Sequence, residues 1–230
     1  MELEIVETIA LTLGVAWASG INLYAAIFML GFMGANGHME LPPNLELLAD
    51  PMVISAAGFM YFVEFFADKM PGVDTGWDTL HTFIRIPAGA ALAAGAVGDV
   101  SPAFILAAGL LGGTLTTATH ATKAGTRVMI NTSPEPFSNW FASIGEDVAV
   151  IAGLWAALNH PYLFIGLMIA FILLLVWLLP KLWAGVKGVF RYLGRLFGQV
   201  QEQGAKLTEP SPPPAGTSNY PPPGRHDEKP

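Results

Sequence analysis

Two blocks of ionisable residues stand inside an otherwise apolar chain. In the first, Glu64 and Asp68 lie four apart, and beyond Pro71 and Gly72 the residues Asp74, Asp78, His81 and Arg85 recur at intervals of four, three and four. That spacing places them on one face of a helix whose other sides carry Leu80, Phe83 and Ile84. In the second block Thr116, His120, Lys123 and Arg127 repeat the same intervals with the opposite charge, and Glu146 and Asp147 follow a turn-rich stretch at 131–136. Carboxylates and imidazoles in apolar helices are suited to holding protons or cations, and lysine and arginine to balancing them or meeting anions. A third feature is Ser19, Gly20 and Asn22 within the first apolar run. Small residues and an amide at that depth are read either as close helix packing or as a broken helix that offers backbone groups to a solute.

Each feature also has a purely structural reading. The two stripes face each other as a buried ion-pair network, because a lone buried charge costs several kcal/mol. Asp74 is placed to cap a new helix after Gly72, and Asp78 to favour its positive end. Asp74, Asp78 and His81 resemble a metal-ligand set, but Arg85 one turn away repels a cation, so neither a metal nor a cofactor is expected. The chain has no H-E-x-x-H, no G-x-S-x-G and no phosphate-binding loop, and no catalytic residue is assigned.

The elements that position these residues are membrane helices. The 230 residues are 53% hydrophobic and 13% charged, half the charge of an ordinary soluble domain. Mean hydropathy is +0.49. An all-α polytopic helix bundle follows, with about six spans expected near 8–33, 52–67, 83–98, 103–121, 141–158 and 162–180. The polar block from Asp68 to Pro87 reads as a broken or re-entrant segment. Pro87 to Gly98 is rich in Ala and Gly, and Gly109 with Gly113 gives the G-x-x-x-G spacing of close helix contacts.

Charge divides the chain near Pro180. Residues 1–180 hold four basic and fourteen acidic side chains, residues 181–230 seven basic and four acidic. Three regions are expected: a membrane bundle at 1–180, a basic amphipathic helix at 181–200, and a disordered Pro-rich cytoplasmic tail at 201–230. Lys187, Arg191 and Arg195 share one side of that helix and suit anionic lipid headgroups. No Lys/Arg surface suited to nucleic acid appears in the first region. The acidic N-terminus argues against a cleaved signal peptide. Cysteine is absent. Lysine and arginine collect in cytoplasmic loops, so six spans place both termini on the cytoplasmic side of an inner cell membrane.

The SGIN turn at Ser19 to Asn22, EFFADKMPGVD from Glu64 to Asp74, the following DTLHTFIRIPAGA, HATKAGTR at His120 to Arg127 and the late Glu146-Asp147 resemble an uncharacterised integral membrane family, domain of unknown function 4126. The resemblance covers roughly residues 10–160. At Asn22 the family pattern usually has Arg. The resemblance implies a membrane fold and no activity. The polar stripes and a first helix that can be read as broken suggest a small-solute or ion transporter or channel, with Glu64, Asp68, Asp78 and His81 handling cations or protons and Lys123 and Arg127 as counter-charges or anion contacts. By analogy a channel of this size is a homo-oligomer. The alternatives are a structural or assembly protein and a membrane-embedded enzyme that clamps lipid headgroups with Arg85, Lys123 and Arg127.

Overall fold

The computed structural model describes residues 2–70, 72–132 and 137–208, and all regular structure among them is helical. The elements are α1 (Glu2–Ala35), a short 3-10 helix (Pro43–Ala49), α2 (Pro51–Ala67), α3 (Val73–Ala96), α4 (Pro102–Ile130), α5 (Phe137–Asn159) and α6 (Pro161–Thr208). The 3-10 helix and α2, α4 and α6 open on a proline, where the missing N–H has no helical partner to lose. Asp50 caps α2 by accepting the Met52 N–H at 2.7 Å. The chain forms a bundle unit, Met1–Val189, and a second unit, Phe190–Pro230, whose described part is the last stretch of α6.

The decisive feature of the bundle is that α1 doubles back. Asn22 has φ −146° and ψ 96°, far from helical values. On a straight helix Leu11 and Met33 would stand about 33 Å apart. Both instead line one cavity, together with Glu4, Glu7, His38 and Glu40. The halves 2–21 and 23–35 are about 30 Å and 20 Å long. Asn22 is the tip of a helical hairpin.

The first half of α1 lies among α3, α4 and α5. Thr116 Oγ1 donates to Ala16 O at 2.8 Å, and Gly20 presses on the backbone of Thr116 and His120, so α4 runs parallel to it. Gly14 meets Ala157 while Asn22 meets Asp147, so α5 runs antiparallel. The return half runs beside α2, with Phe28 against Gly58 and Gly31 against Ile54. Val15, Ala16, Ala18, Leu23, Ala26 and Leu30 of the two halves form the core with Leu92, Ala93, Val150 and Leu154. Gly109 and Gly113 face Ala90 and Ala94 of α3, as their spacing predicts. These small residues let backbones approach closely.

Four described helices are long and apolar enough to cross a membrane: Glu4–Ala35, Pro102–Ile130, Phe137–Asn159 and Pro161–Tyr192. The bent pair of the 3-10 helix and α2 makes up to five. The six expected spans exceed this number. The polar stripe keeps α3 out of the set, and α2 alone has 17 residues. Of the two places where the sequence allowed a broken helix, α1 is interrupted at Asn22, and the polar block leaves the helix only between Ala67 and Val73, after which residues 73–87 are one continuous helix through Pro87. Likewise α6 passes Pro180 unbroken and includes 201–208, which were assigned to the tail, while 209–230 lie outside the described residues.

Candidate functional site

The break in α1 exposes backbone groups at the point where the ionisable residues converge. In an unbroken helix the Ile21 carbonyl would accept the Ala25 N–H. Here Asn22 Oδ1 takes that N–H at 3.0 Å, which caps the return half and frees the carbonyl. Ile21 O then accepts Arg85 Nη1 at 3.2 Å and Lys123 Nζ at 3.1 Å. The carbonyl end of a helix favours cations, and two arrive here from different helices.

Around those cations the carboxylates of α2, α3 and α5 close a network. Arg85 Nη2 pairs with Glu64, and Nη1 lies 3.2 Å from Asp78 Oδ1. Lys123 Nζ spends its remaining donors on Asp68 at 2.8 Å and Glu64 at 3.3 Å, with Asp78 and Glu146 at 3.6 Å. Arg127 Nη2 meets Glu146 at 2.6 Å, while its Nη1 donates to the Asp68 and Asn139 carbonyls at 3.2 and 3.0 Å. Arg85, Arg127 and Glu64 are fully buried. Four carboxylates thus share three bases, and Glu64, Asp68 and Asp78 each keep one buried oxygen without a partner.

The neutral members can be placed by donor logic. Arg85 Nη1 can only donate, so His120 Nδ1, 3.3 Å away, accepts. The proton then sits on Nε2, which reaches Thr82 Oγ1 at 2.7 Å, and Thr82 donates in turn to Asp78 O. His81 stands apart: Nδ1 bonds Trp77 O at 2.9 Å and the ring stacks on Trp77. Asp74 is also outside the network. It lies in the first turn of α3 rather than at the cap, which is Gly72, and accepts from Gly72 N, Thr75 N and Asn131 Nδ2. Between α2 and α3, Lys69 Nζ donates to Phe65 O and lies 3.3 Å from Ser143 Oγ. Burial pushes its ammonium below the ordinary value.

Over residues 9–181 the chain matches the family described as a domain of unknown function, DUF4126. The chain belongs to this family. No curated protein and no solved structure matches it. The DUF4126 match contains the whole network, from Ile21 to Glu146, together with Ser19, Gly20 and Asn22 at the break.

Of the residues singled out in the sequence, the fold gathers Asn22, Glu64, Asp68, Asp78, Arg85, His120, Lys123, Arg127, Glu146 and Asp147 around that break. Ser19 bonds its own helix at Val15 O, and Gly20 serves close packing, its missing methyl leaving room for Thr116. The stripes of α3 and α4 do pair, through Asp78 and Lys123, but α4 also takes partners from Glu64 of α2, Asp68 just after it and Glu146 of α5. Sequence reasoning missed Asn139 and Asn131. Both are polar residues on the flanks of the turn-rich stretch, and Asn139 Nδ2 donates to Asn131 Oδ1 at 2.7 Å.

Charge is distributed unevenly along the bundle. The cavity at the Glu4 end has a volume of about 600 Å³ and is lined by Glu4, Glu7, His38 and Glu40 with no lysine or arginine. Val15, Leu30 and Leu154, all fully buried, lie along α1 and α5 between the cavity's residues and the break at Asn22. Arg127 and Leu182 lie at the opposite end, where Gly125 packs on Leu182 and Gly185 on Met129.

Proposed function

We propose that this membrane protein is a transporter or channel for a small cation, the proton included. One observation carries the reading: a helix broken at Asn22 presents its freed Ile21 carbonyl to a buried network with more acids than bases. Intramembrane ionisable groups are costly, and discontinuous helices that place backbone groups beside them are a common construction of ion and solute sites. The acidic cavity supports a cation as the traffic, since a mouth of one charge sign concentrates counter-ions. The dry residues between cavity and network then form a closed gate.

The basic residues Lys69, Lys123, Arg127 and Lys181 gather at the end away from Glu4, which favours that end as cytoplasmic. In an inner cell membrane the Glu4 end of α1 then faces outward, whereas both termini were expected inside. The reason for the change is the hairpin: it adds a pass, so Glu4 and Leu182 stand at opposite ends of the unit. Lys187, Arg191 and Arg195 would meet anionic headgroups on the cytoplasmic face.

A structural or assembly role has one observation in its favour, the completeness with which Lys123 spends its three donors. A headgroup enzyme has less support, because Arg85 and Arg127 are buried on carboxylates instead of open to phosphate. The experiment is cation and proton flux into liposomes carrying the purified protein, wild type against Asp68→Asn. Flux above empty liposomes that the variant loses is the expected result. Equal signals from protein-bearing and empty liposomes across protons and monovalent cations would discard the reading.

A further inference from the structure

One buried acid differs from the rest in its support. Glu64, Asp68, Asp78 and Glu146 each lie within 4 Å of a lysine or arginine nitrogen. Among the described residues Asp74 has no such partner, but it is satisfied by two backbone N–H groups and the Asn131 amide. Asp147 has neither kind of support. It is 8% exposed on α5, its Oδ1 accepts one bond from Asn22 Nδ2 at 3.1 Å, and its Oδ2 is buried with no hydrogen-bond partner. Among the described residues no ammonium or guanidinium forms an ion pair with it. An ionised carboxylate in that setting has one neutral donor and no ion pair, less than makes buried ionisation tolerable, whereas the neutral acid does not need more.

From this geometry we infer that Asp147 is the proton-binding residue of the pathway and that Asn22 couples its protonation to the break in α1. The inference rests on the transport reading above and names the ion and its site. Asn22 is committed at both ends of its amide: Oδ1 starts the return half through Ala25 N–H, and Nδ2 holds Asp147. While Asp147 is ionised that second bond is charge-assisted. A proton arriving from water on one face binds Oδ2, neutralises the carboxylate and loosens its hold on the residue whose backbone makes the turn. The same proton leaves to water on the other face, and no other reactant is required.

The surroundings suit such a step. Val150 and Leu154, the next turns of α5 toward the Glu4 end, belong to the apolar core. Ser143, one turn the other way, touches the Lys69 ammonium. The charges that act on Asp147 are those of Asp68 and Lys69 at the end of α2 and Lys123 on α4, and from α2 Tyr61 is the titratable group that feels its charge. On its own helix Glu146 is paired with Arg127, and on α3 Asp78 is paired with Arg85. From α1 it meets the neutral Asn22, and residues 161–180 of α6 contain no Asp, Glu, Lys, Arg or His.

Two readouts on the full chain test the inference separately from the transport reading. Infrared difference spectra of the protein in lipid, taken across a pH titration, report a protonated carboxyl through its carbonyl stretch. The expected result is a band at neutral pH that disappears in Asp147→Asn and shifts in Asp147→Glu. In liposomes with a pH-sensitive dye, Asp147→Asn should lower proton flux to the empty-liposome level while Asp147→Glu retains it. A band without flux in the wild type would overturn transport and leave Asp147 as a proton site. Flux with no such band, or flux and pH dependence unchanged in Asp147→Asn, would overturn the inference and leave transport standing. Size-exclusion profiles matching wild type establish that both variants fold.

Discussion

Arginine 85 and glutamate 64 form a fully buried pair, yet their removal should have very unequal consequences. The network holds Glu64, Asp68, Asp78 and Glu146 against Arg85, Lys123 and Arg127, an excess of one negative charge. Glu64→Gln brings it to balance and keeps an oxygen acceptor for Arg85 and Lys123. Arg85→Gln doubles the excess and strands Glu64 and Asp78, although Lys123 at 3.3 and 3.6 Å still offers partial compensation. Breaking a buried pair from one side costs about 3–5 kcal/mol, and this compensation argues for about 3. The double variant restores the wild-type charge excess, so about 1–3 kcal/mol of coupling should reappear. At roughly 2–4 °C per kcal/mol for a chain of this size, Arg85→Gln should melt about 6–12 °C below wild type. Glu64→Gln should stay within about 2 °C, and the double variant should fall between them. Thermal unfolding of the four proteins in one detergent is the assay. An Arg85→Gln protein as stable as wild type, or a Glu64→Gln protein as damaged as Arg85→Gln, would refute charge balance as what holds this network.

Two further outcomes test the helical hairpin. A methyl group added at Gly20 would lie 2.7 Å from both Thr116 O and Thr119 Cβ, so Gly20→Ala should destabilise by about 1–3 kcal/mol, while Gly166→Ala, with open space around it, should be neutral or gain up to about 1 kcal/mol. Equal melting of the two variants would mean that α1 and α4 do not pack so closely. The absence of cysteine makes topology directly readable: Glu4→Cys should react with a membrane-impermeant maleimide on intact cells, and Gly188→Cys only after permeabilisation. Labelling of both from the same side would contradict the extra pass.

The order of events along the chain was legible early because local rules govern it. Low charge, long apolar runs, helix-opening prolines and the four-three-four spacing of Asp74 to Arg85 and Thr116 to Arg127 determine helices with polar faces, whatever surrounds them. Small residues at Gly109 and Gly113 likewise announce a close contact, since room for a backbone is a property of the residue itself. Family membership was readable for the same reason: it resides in the order of residues.

Other features are decided by partners distant in sequence. Whether Asn22 sits in a packed helix or breaks one depends on Arg85, Lys123 and Asp147 arriving to use the freed carbonyl and the amide, and they come from three other helices. Spacing alone made His81 and Asp78 equivalent; packing turned one toward Trp77 and the other into the network. The composition of α1 suggested a single crossing, because hydropathy counts apolar residues and does not register a reversal at one residue. The sequence alone therefore determined a helical membrane protein with charges to bury. Only the tertiary structure decided which charges meet, since that depends on which helix faces which, and it left Asp147 with an amide where its neighbours have a base.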